Sequence, residues 1–135
     1  MTRLIKEDWK TETYETFIEG LPVWFVREKF TNNIKVSPER YKDYLEPEEI
    51  LCIVVERTGT TIDEIRSKSR KAKIVRTRHL FCLIASIATK AKHEEIALLI
   101  NRDRTAVIWA INNAFNMIET KHKDYLLQME LITNS

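Results

Sequence analysis

Residues 93–111, HEEIALLINRDRTAVIWAI, carry the clearest structural signal in the sequence. Apolar residues recur at spacings of three and four on both sides of a break at residues 101–103. This pattern is typical of two amphipathic helices joined by a short link. Asp103 is a residue type that caps a helix N-terminus, so the second helix is expected to begin directly after it. A short helix, a tight turn and a second helix with one apolar face predict a helix-turn-helix unit.

The chain around this motif also predicts helices, because start and stop signals flank each apolar run. The first predicted helix runs from Pro47 to the stop at Gly59, and the second is a single turn that starts at a Thr61–Glu64 capping box. Four further helices are predicted from about Lys73 to Thr89, from His93 to Ile100, from Asp103 to about Thr120, and from Tyr125 to Ile132. The polar residues Ser67 to Lys71 are predicted to form a loop between the second and third of these helices.

The first 46 residues are predicted to be a helical extension of unknown role. Apolar side chains between residues 14 and 21 fall at positions i, i+3, i+4 and i+7, which predicts a short helix ending near Gly20. A second helix is predicted from Pro22 to Phe30, and a short turn from Ser37 to Tyr44. Two glycines and three prolines in 135 residues favour an all-α fold, a helical bundle that contains the helix-turn-helix.

The charge is distributed unevenly along the chain. Residues 1–65 hold 9 Lys and Arg against 14 Asp and Glu, whereas residues 66–104 hold 11 against 3, a local net charge of +8. Within the basic part, RSKSRKAKIVRTR (residues 66–78) has seven basic residues and no acidic one. A basic loop next to a helix-turn-helix favours a nucleic-acid partner.

The side chains that open the second helix have the chemistry of base recognition. Asp103, Arg104 and Thr105 precede the first predicted core residue, Val107, and so are expected to project from an exposed N-terminal turn. Arg104 can donate two parallel hydrogen bonds to guanine, Asp103 can accept one from a cytosine amine, and Thr105 can bond a base or contact a thymine methyl group. The sequence therefore predicts that this turn enters the major groove.

Four blocks of the sequence resemble the C-terminal DNA-binding domain, domain IV, of the bacterial replication initiator DnaA. RDRTAVIWAI (residues 102–111) is similar to the family signature G-G-R-D-H-T-T-V. Residues 67–70 resemble the S-K-x-R loop of the family, residues 75–78 its long-helix start, and residues 95–96 the E-I-G of its first helix. The resemblance extends over about residues 47–120.

This resemblance implies a Trp-repressor-like helical fold for residues 47–135, without the ATPase module of the family, and assigns roles to eight side chains. The arginine that the family places in the minor groove corresponds to Arg70. The implied major-groove contacts are Asp103, Arg104 and Thr105, and the implied phosphate contacts are Lys68, Lys71, Arg76 and Arg78.

The signature also departs from the family pattern. Arg104 replaces the usual histidine, Ala106 replaces the second threonine, and Asn101 stands where the family has a glycine pair. These changes alter the hydrogen-bonding groups of the turn, so the DNA sequence recognised is expected to differ from the usual DnaA box.

Several other functions are excluded or disfavoured by the sequence. Gly20 and Gly59 lie 39 positions apart, which rules out both a P-loop and a dinucleotide-binding fingerprint. The three histidines lack partners at metal-ligand spacing, so no metal, no cofactor and no enzyme activity are expected. Cys52 and Cys82 are predicted to be buried apolar residues. No leader or membrane segment is recognised, which predicts a cytoplasmic, nucleoid-associated protein of bacterial or phage type.

The sequence thus predicts a non-enzymatic, sequence-specific double-stranded DNA-binding protein linked to replication initiation or its regulation. Two alternatives remain open on the same fold. One is a protein–protein adaptor with altered or lost DNA specificity, in which residues 1–46 bind a replication or mobile-element protein through Trp9, Phe17, Trp24 and Phe25. The other is a dimeric transcriptional repressor.

Overall fold

The protein combines a four-stranded antiparallel sheet with six helices in a computed structural model that describes residues 2–18, 20–37 and 45–133. The strands are β1 (Arg3–Glu7), β2 (Thr11–Ile18), β3 (Leu21–Glu28) and β4 (Ile34–Val36), which pair in sequence order. The helices are α1 (Pro47–Thr58), α2 (Ile62–Arg66), α3 (Ala72–Ala88), α4 (His93–Leu99), α5 (Arg104–Glu119) and α6 (Lys123–Thr133).

The predicted all-α fold is wrong, because the N-terminal segment forms a sheet and not a helical extension. The segment predicted as a helix ending near Gly20 is strand β2, and most of the predicted Pro22–Phe30 helix is strand β3. The stretch TETYETFI of β2 is rich in threonine and aromatic side chains, which favours a strand, although its apolar residues do not alternate with polar ones. Gly20, at φ +77°, lies in the two-residue link of the β2–β3 hairpin. Most of the predicted Ser37–Tyr44 turn lies outside the described residues.

The sheet packs its inner face on the helices and shares their core. Phe25 of β3 stacks on Tyr14 of β2 with a centroid distance of 5.3 Å, and both rings make edge contacts with Phe115 of α5. The hydroxyl of Ser86, near the end of α3, donates to the carbonyl of Ile34 in β4. The sheet therefore lies against the C-terminal halves of α3 and α5, away from the N-termini of these two helices.

The helical part agrees with the sequence prediction within one or two residues at most helix ends. Pro47 occupies the first turn of α1, and Gly59 ends that helix in the left-handed conformation at φ +70°. Thr61 and Glu64 form the predicted capping box of α2. Helix α3 is central and is buried on all sides from Leu80 to Ala88. Residues 67–71 form the predicted loop.

One cysteine prediction is wrong. Cys82 is buried in α3, as expected, but Cys52 is exposed on α1. The neighbouring side chain of Leu51 takes the core-facing position on α1, and the next residue in a helix points about 100° away from it.

Candidate DNA-binding interface

The helix-turn-helix consists of α4, the turn at residues 100–103 and α5. Asn101 takes a left-handed conformation at φ +55°, and the Arg102 amide donates to the carbonyl of Ala97 at 3.0 Å, which ends α4. Asp103 then caps α5, because its Oδ1 accepts a hydrogen bond from the amide of Ala106 at 2.7 Å. The two helices are held in this arrangement by the buried side chains of Ile96, Ile100 and Val107.

The three predicted major-groove contacts lie together at the exposed start of α5. Asp103, Arg104 and Thr105 are all exposed. The Arg104 Nε donates to a carboxylate oxygen of Glu94 at 3.0 Å, and both side chains are 59% exposed. An ion pair this exposed contributes little stability, so the guanidinium of Arg104 can exchange Glu94 for a base edge at small cost.

The loop between α2 and α3 presents three exposed cations, Lys68, Arg70 and Lys71. Two serine side chains shape this loop. The Ser67 hydroxyl accepts from the amide of Ser69 at 3.1 Å, and the Ser69 hydroxyl accepts from the amide of Lys71 at 3.3 Å. The structure describes no acidic partner for these three cations.

An arginine cluster, consisting of Arg66, Arg78 and Arg102, joins this loop to the helix-turn-helix. Arg102 lies in the turn before α5, and its Nη2 donates to the carbonyl of Ser67 at 2.6 Å. Arg66 donates to the carbonyl of Leu99 at 2.7 Å. These two hydrogen bonds connect the start of the basic loop to the end of α4 and to the turn, so the loop and the first turn of α5 are tied together at neighbouring points.

Arg78 completes the cluster from inside the fold. The residue is only 8% exposed, and its guanidinium donates to the carbonyls of Ile65 at 2.9 Å and Ser67 at 3.1 Å. Burial, and then the nearby charge of Arg102, lower the pKa of Arg78 below its usual value. The guanidinium at this position holds the backbone at the start of the loop, because it donates hydrogen bonds to carbonyl oxygens that would otherwise be buried without a donor.

The four cations predicted to contact phosphate therefore differ in their surroundings. Lys68 and Lys71 are exposed, whereas Arg78 is buried and bonded to carbonyls. Arg76 is half-buried, and its Nε donates to the side-chain oxygen of Gln128 in α6 at 2.6 Å. The sequence did not predict the roles of Arg66 and Arg102. The available signal for Arg102 was that a basic residue lies within the predicted break at residues 101–103.

The aromatic side chains that the adaptor hypothesis assigned to a partner are divided between surface and core. Trp9 is 70% exposed and makes an edge contact with Phe30, which is 77% exposed. Phe17 is 38% exposed, while Phe25 is buried in the core. The indole of Trp24 is half-buried and donates to Glu15 at 2.8 Å.

Residues 2–18, 20–37 and 45–133 contain no group of three or more His, Cys, Asp or Glu side chains arranged to hold a metal ion. Among the helices described, none combines the length and the hydropathy required to cross a bilayer.

Comparison with known proteins identifies the helical part. The family described as bacterial dnaA protein helix-turn-helix matches residues 47–113, from the first residue of α1 into the middle of α5. The predicted resemblance is thereby confirmed for this segment. No curated protein shows significant similarity to the chain.

Proposed function

Because residues 47–113 belong to the bacterial DnaA helix-turn-helix family, we propose that this protein binds double-stranded DNA at specific sequences and acts in replication initiation or its regulation. The first turn of α5 enters the major groove. Arg104 donates to guanine, Asp103 accepts from cytosine while it caps the helix, and Thr105 contacts a neighbouring base.

The basic loop contacts the DNA beside that groove. Arg70 extends into the adjacent minor groove, where a narrow groove has an enhanced negative potential. Lys68 and Lys71 contact phosphates, and Arg76 joins them from the first turns of α3. Arg78 acts as a positioning residue, since its guanidinium is bonded to the carbonyls of Ile65 and Ser67. Phosphate contacts fix the register, and the groove contacts specify the sequence.

The observation that carries this proposal is the hydrogen bond from Arg102 to Ser67, at 2.6 Å. It joins the turn before α5 to the residue that opens the basic loop, 35 positions earlier in the chain. When a duplex takes α5 into its major groove, the loop cations therefore contact it at a fixed distance from the first turn of α5. Together with the bond from Arg66 to Leu99, it holds the two exposed basic segments next to each other.

Selection from a pool of random duplexes, followed by titration at two salt concentrations, tests the proposal. We expect recovery of one family of related sequences and a steep fall of affinity with salt, because cations are released from the phosphates on binding. The selected sequence is expected to differ from the usual DnaA box, since Arg104 and Ala106 replace the histidine and threonine of the family signature. Recovery of no enriched sequence would contradict specific binding.

A second candidate function, a protein-binding adaptor, is favoured by the exposed Trp9–Phe30 pair. Exposed aromatic side chains in contact with each other are typical of the centre of protein interfaces. In this case the wild-type protein binds no duplex even at low salt, and replacing Trp9 and Phe30 by alanine removes binding of a replication or mobile-element protein.

A further inference from the structure

The outer face of α5 carries no charge along most of its length. Residues 105–118 contain no Asp, Glu, Lys or Arg, although charged residues make up 31% of the chain. The exposed positions along this face, after Thr105, are Trp109, which is 61% exposed, Asn112 and Asn116. A helix that faces only water usually exposes charged side chains. An uncharged face with a large exposed tryptophan is therefore expected to contact another molecule.

The turn between β3 and β4 forms a second wall beside this face. Asn32 lies in that turn at φ +59°, a conformation that asparagine tolerates, and its side-chain oxygen accepts from Arg27 at 3.0 Å. Asn32 and Arg27 line a cleft of about 420 Å³ together with five residues of α5, which are Trp109, Asn112, Asn113, Phe115 and Asn116. We call these residues the asparagine cleft.

The cleft is rich in hydrogen-bonding groups but is nearly neutral. The charge of Arg27 is compensated by Glu12, whose carboxylate lies 2.8 Å from the guanidinium. The exposed side chains of Asn112 and Asn116 each offer two donors and an acceptor, and Asn32 offers its amide donors while its oxygen accepts from Arg27. Such side chains donate to phosphate oxygens, and they pair with adenine through two hydrogen bonds.

We infer that the asparagine cleft holds the DNA strand that runs on from the first turn of α5, so that the sheet takes part in DNA binding. This inference rests on the proposed function. Thr105 and Asn116 are separated by about 16 Å along the helix axis. That distance corresponds to about five nucleotides of one strand, at about 3.4 Å each. The cleft thus continues the surface that begins at Thr105. Asn32, in the turn between β3 and β4, is the residue through which the sheet contributes to this surface.

The neutral character of the cleft predicts how its contact differs from that of the basic loop. Lysine and arginine side chains that bind phosphates release cations and make the affinity depend on salt. Carboxamide groups release none. Removing them is therefore expected to weaken binding by the same factor at every salt concentration.

The test measures affinity for a 30-base-pair duplex taken from the wild-type selection, as a function of salt. We expect Asn112→Ala combined with Asn116→Ala to weaken binding about tenfold, the equivalent of one or two hydrogen bonds, and to leave the salt slope unchanged. Asn32→Gly keeps the left-handed backbone accessible and removes the carboxamide, and it is expected to weaken binding about threefold.

The matched control for the sheet is Asn33→Ala, in the same turn but not lining the cleft. It is expected to bind as the wild type does. The inference is overturned if the asparagine variants of the cleft bind within twofold of the wild type while Arg104→Ala binds weakly. That result leaves the proposed function intact, whereas a wild-type protein that binds no duplex removes both.

Discussion

At the residue scale, the recognition turn depends on Arg104, a side chain that the family signature does not have at this position. Its guanidinium is exposed and shares a hydrogen bond with Glu94 at 3.0 Å. Lys71, in contrast, lies in the basic loop and is proposed to contact only phosphate. Removing these two cations is therefore expected to change DNA binding in different ways.

Replacing Arg104 by alanine should cost about 1–3 kcal/mol of binding free energy on the selected sequence, and should relax the preference at one base pair. Replacing Lys71 by alanine should weaken binding to all duplexes about equally and lower the salt slope by about 0.9. Titrations of both variants on the selected duplex and on single-base variants of it check this. If neither variant changes affinity on any duplex, the assignment of these residues is wrong.

Glu94 is expected to oppose DNA binding. Its carboxylate occupies the guanidinium of Arg104 and repels phosphate, so Glu94→Gln should raise the affinity several-fold, with a larger effect at low salt. Glu95→Gln is not a clean control, because the Glu95 carboxylate accepts from the amide of Lys92 and caps α4. Glu130→Gln, on α6, is exposed and is the better comparison. A Glu94→Gln variant that binds more weakly than the wild type would contradict this arrangement.

At the element scale, the contact between α3, α5 and α6 contains a histidine that favours the neutral form. The Nδ1 of His79 lies 3.1 Å from the Tyr125 hydroxyl and 3.2 Å from the amide nitrogen of Asn113. Burial, and then the charge of Arg78, lower the pKa of His79 to about 4. The unfolded chain binds a proton here at a higher pH than the folded protein does.

This difference predicts a pH dependence of stability. The contribution of His79 is fully present above pH ~6.5 and is lost as the pH falls from there towards 4, because protons then favour the unfolded state. The decrease of the melting temperature between pH 7 and pH 4.5 should therefore be smaller in His79→Gln than in the wild type. His122→Gln, which replaces an exposed histidine, is the control. Equal decreases in all three proteins would show that His79 does not have this role.

The elements differ in how well the sequence predicts them. Helices α1 to α6 were predicted because local signals mark their ends, such as Pro47, Gly59 and Asp103. The sheet was missed because the apolar residues between positions 14 and 21 follow a helical spacing and do not alternate along the chain. Tyr14 and Ile18 lie on one face of β2, whereas the opposite face carries Phe17, which is 38% exposed, and the buried polar residues Thr13 and Glu15. The threonine and aromatic content of β2 was the available signal for a strand.

In the candidate site, too, local sequence patterns predict some features and only the folded chain shows the others. The positions of Asp103, Arg104, Thr105 and the loop cations at the surface follow from local patterns. The burial of Arg78 does not, because its acceptors are the carbonyls of Ile65 and Ser67, which only the folded chain brings to it. Likewise, the cleft formed by Asn32 and α5 depends on a strand pairing that the helical prediction excluded.

At the scale of the whole molecule, sheet and helices share one hydrophobic core, in which Phe25 contacts Phe115. Phe25→Ala should cost about 3–5 kcal/mol of unfolding free energy, because it leaves a cavity between them. Phe30→Ala, at a 77% exposed position in the turn after β3, should change stability by less than about 0.5 kcal/mol. Calorimetry of both variants should show a single transition. A Phe25→Ala protein that loses the sheet alone, with the helices melting as in the wild type, would contradict a shared core.

We propose that the first turn of α5 and the basic loop bind one duplex as a single surface. The most direct measurement is an NMR titration of the protein with the selected duplex, following the backbone amides. We predict that the amides of residues 68–71 and 103–106 change together and reach saturation at the same DNA concentration. Changes in only one of these two segments, or in neither, would contradict the claim.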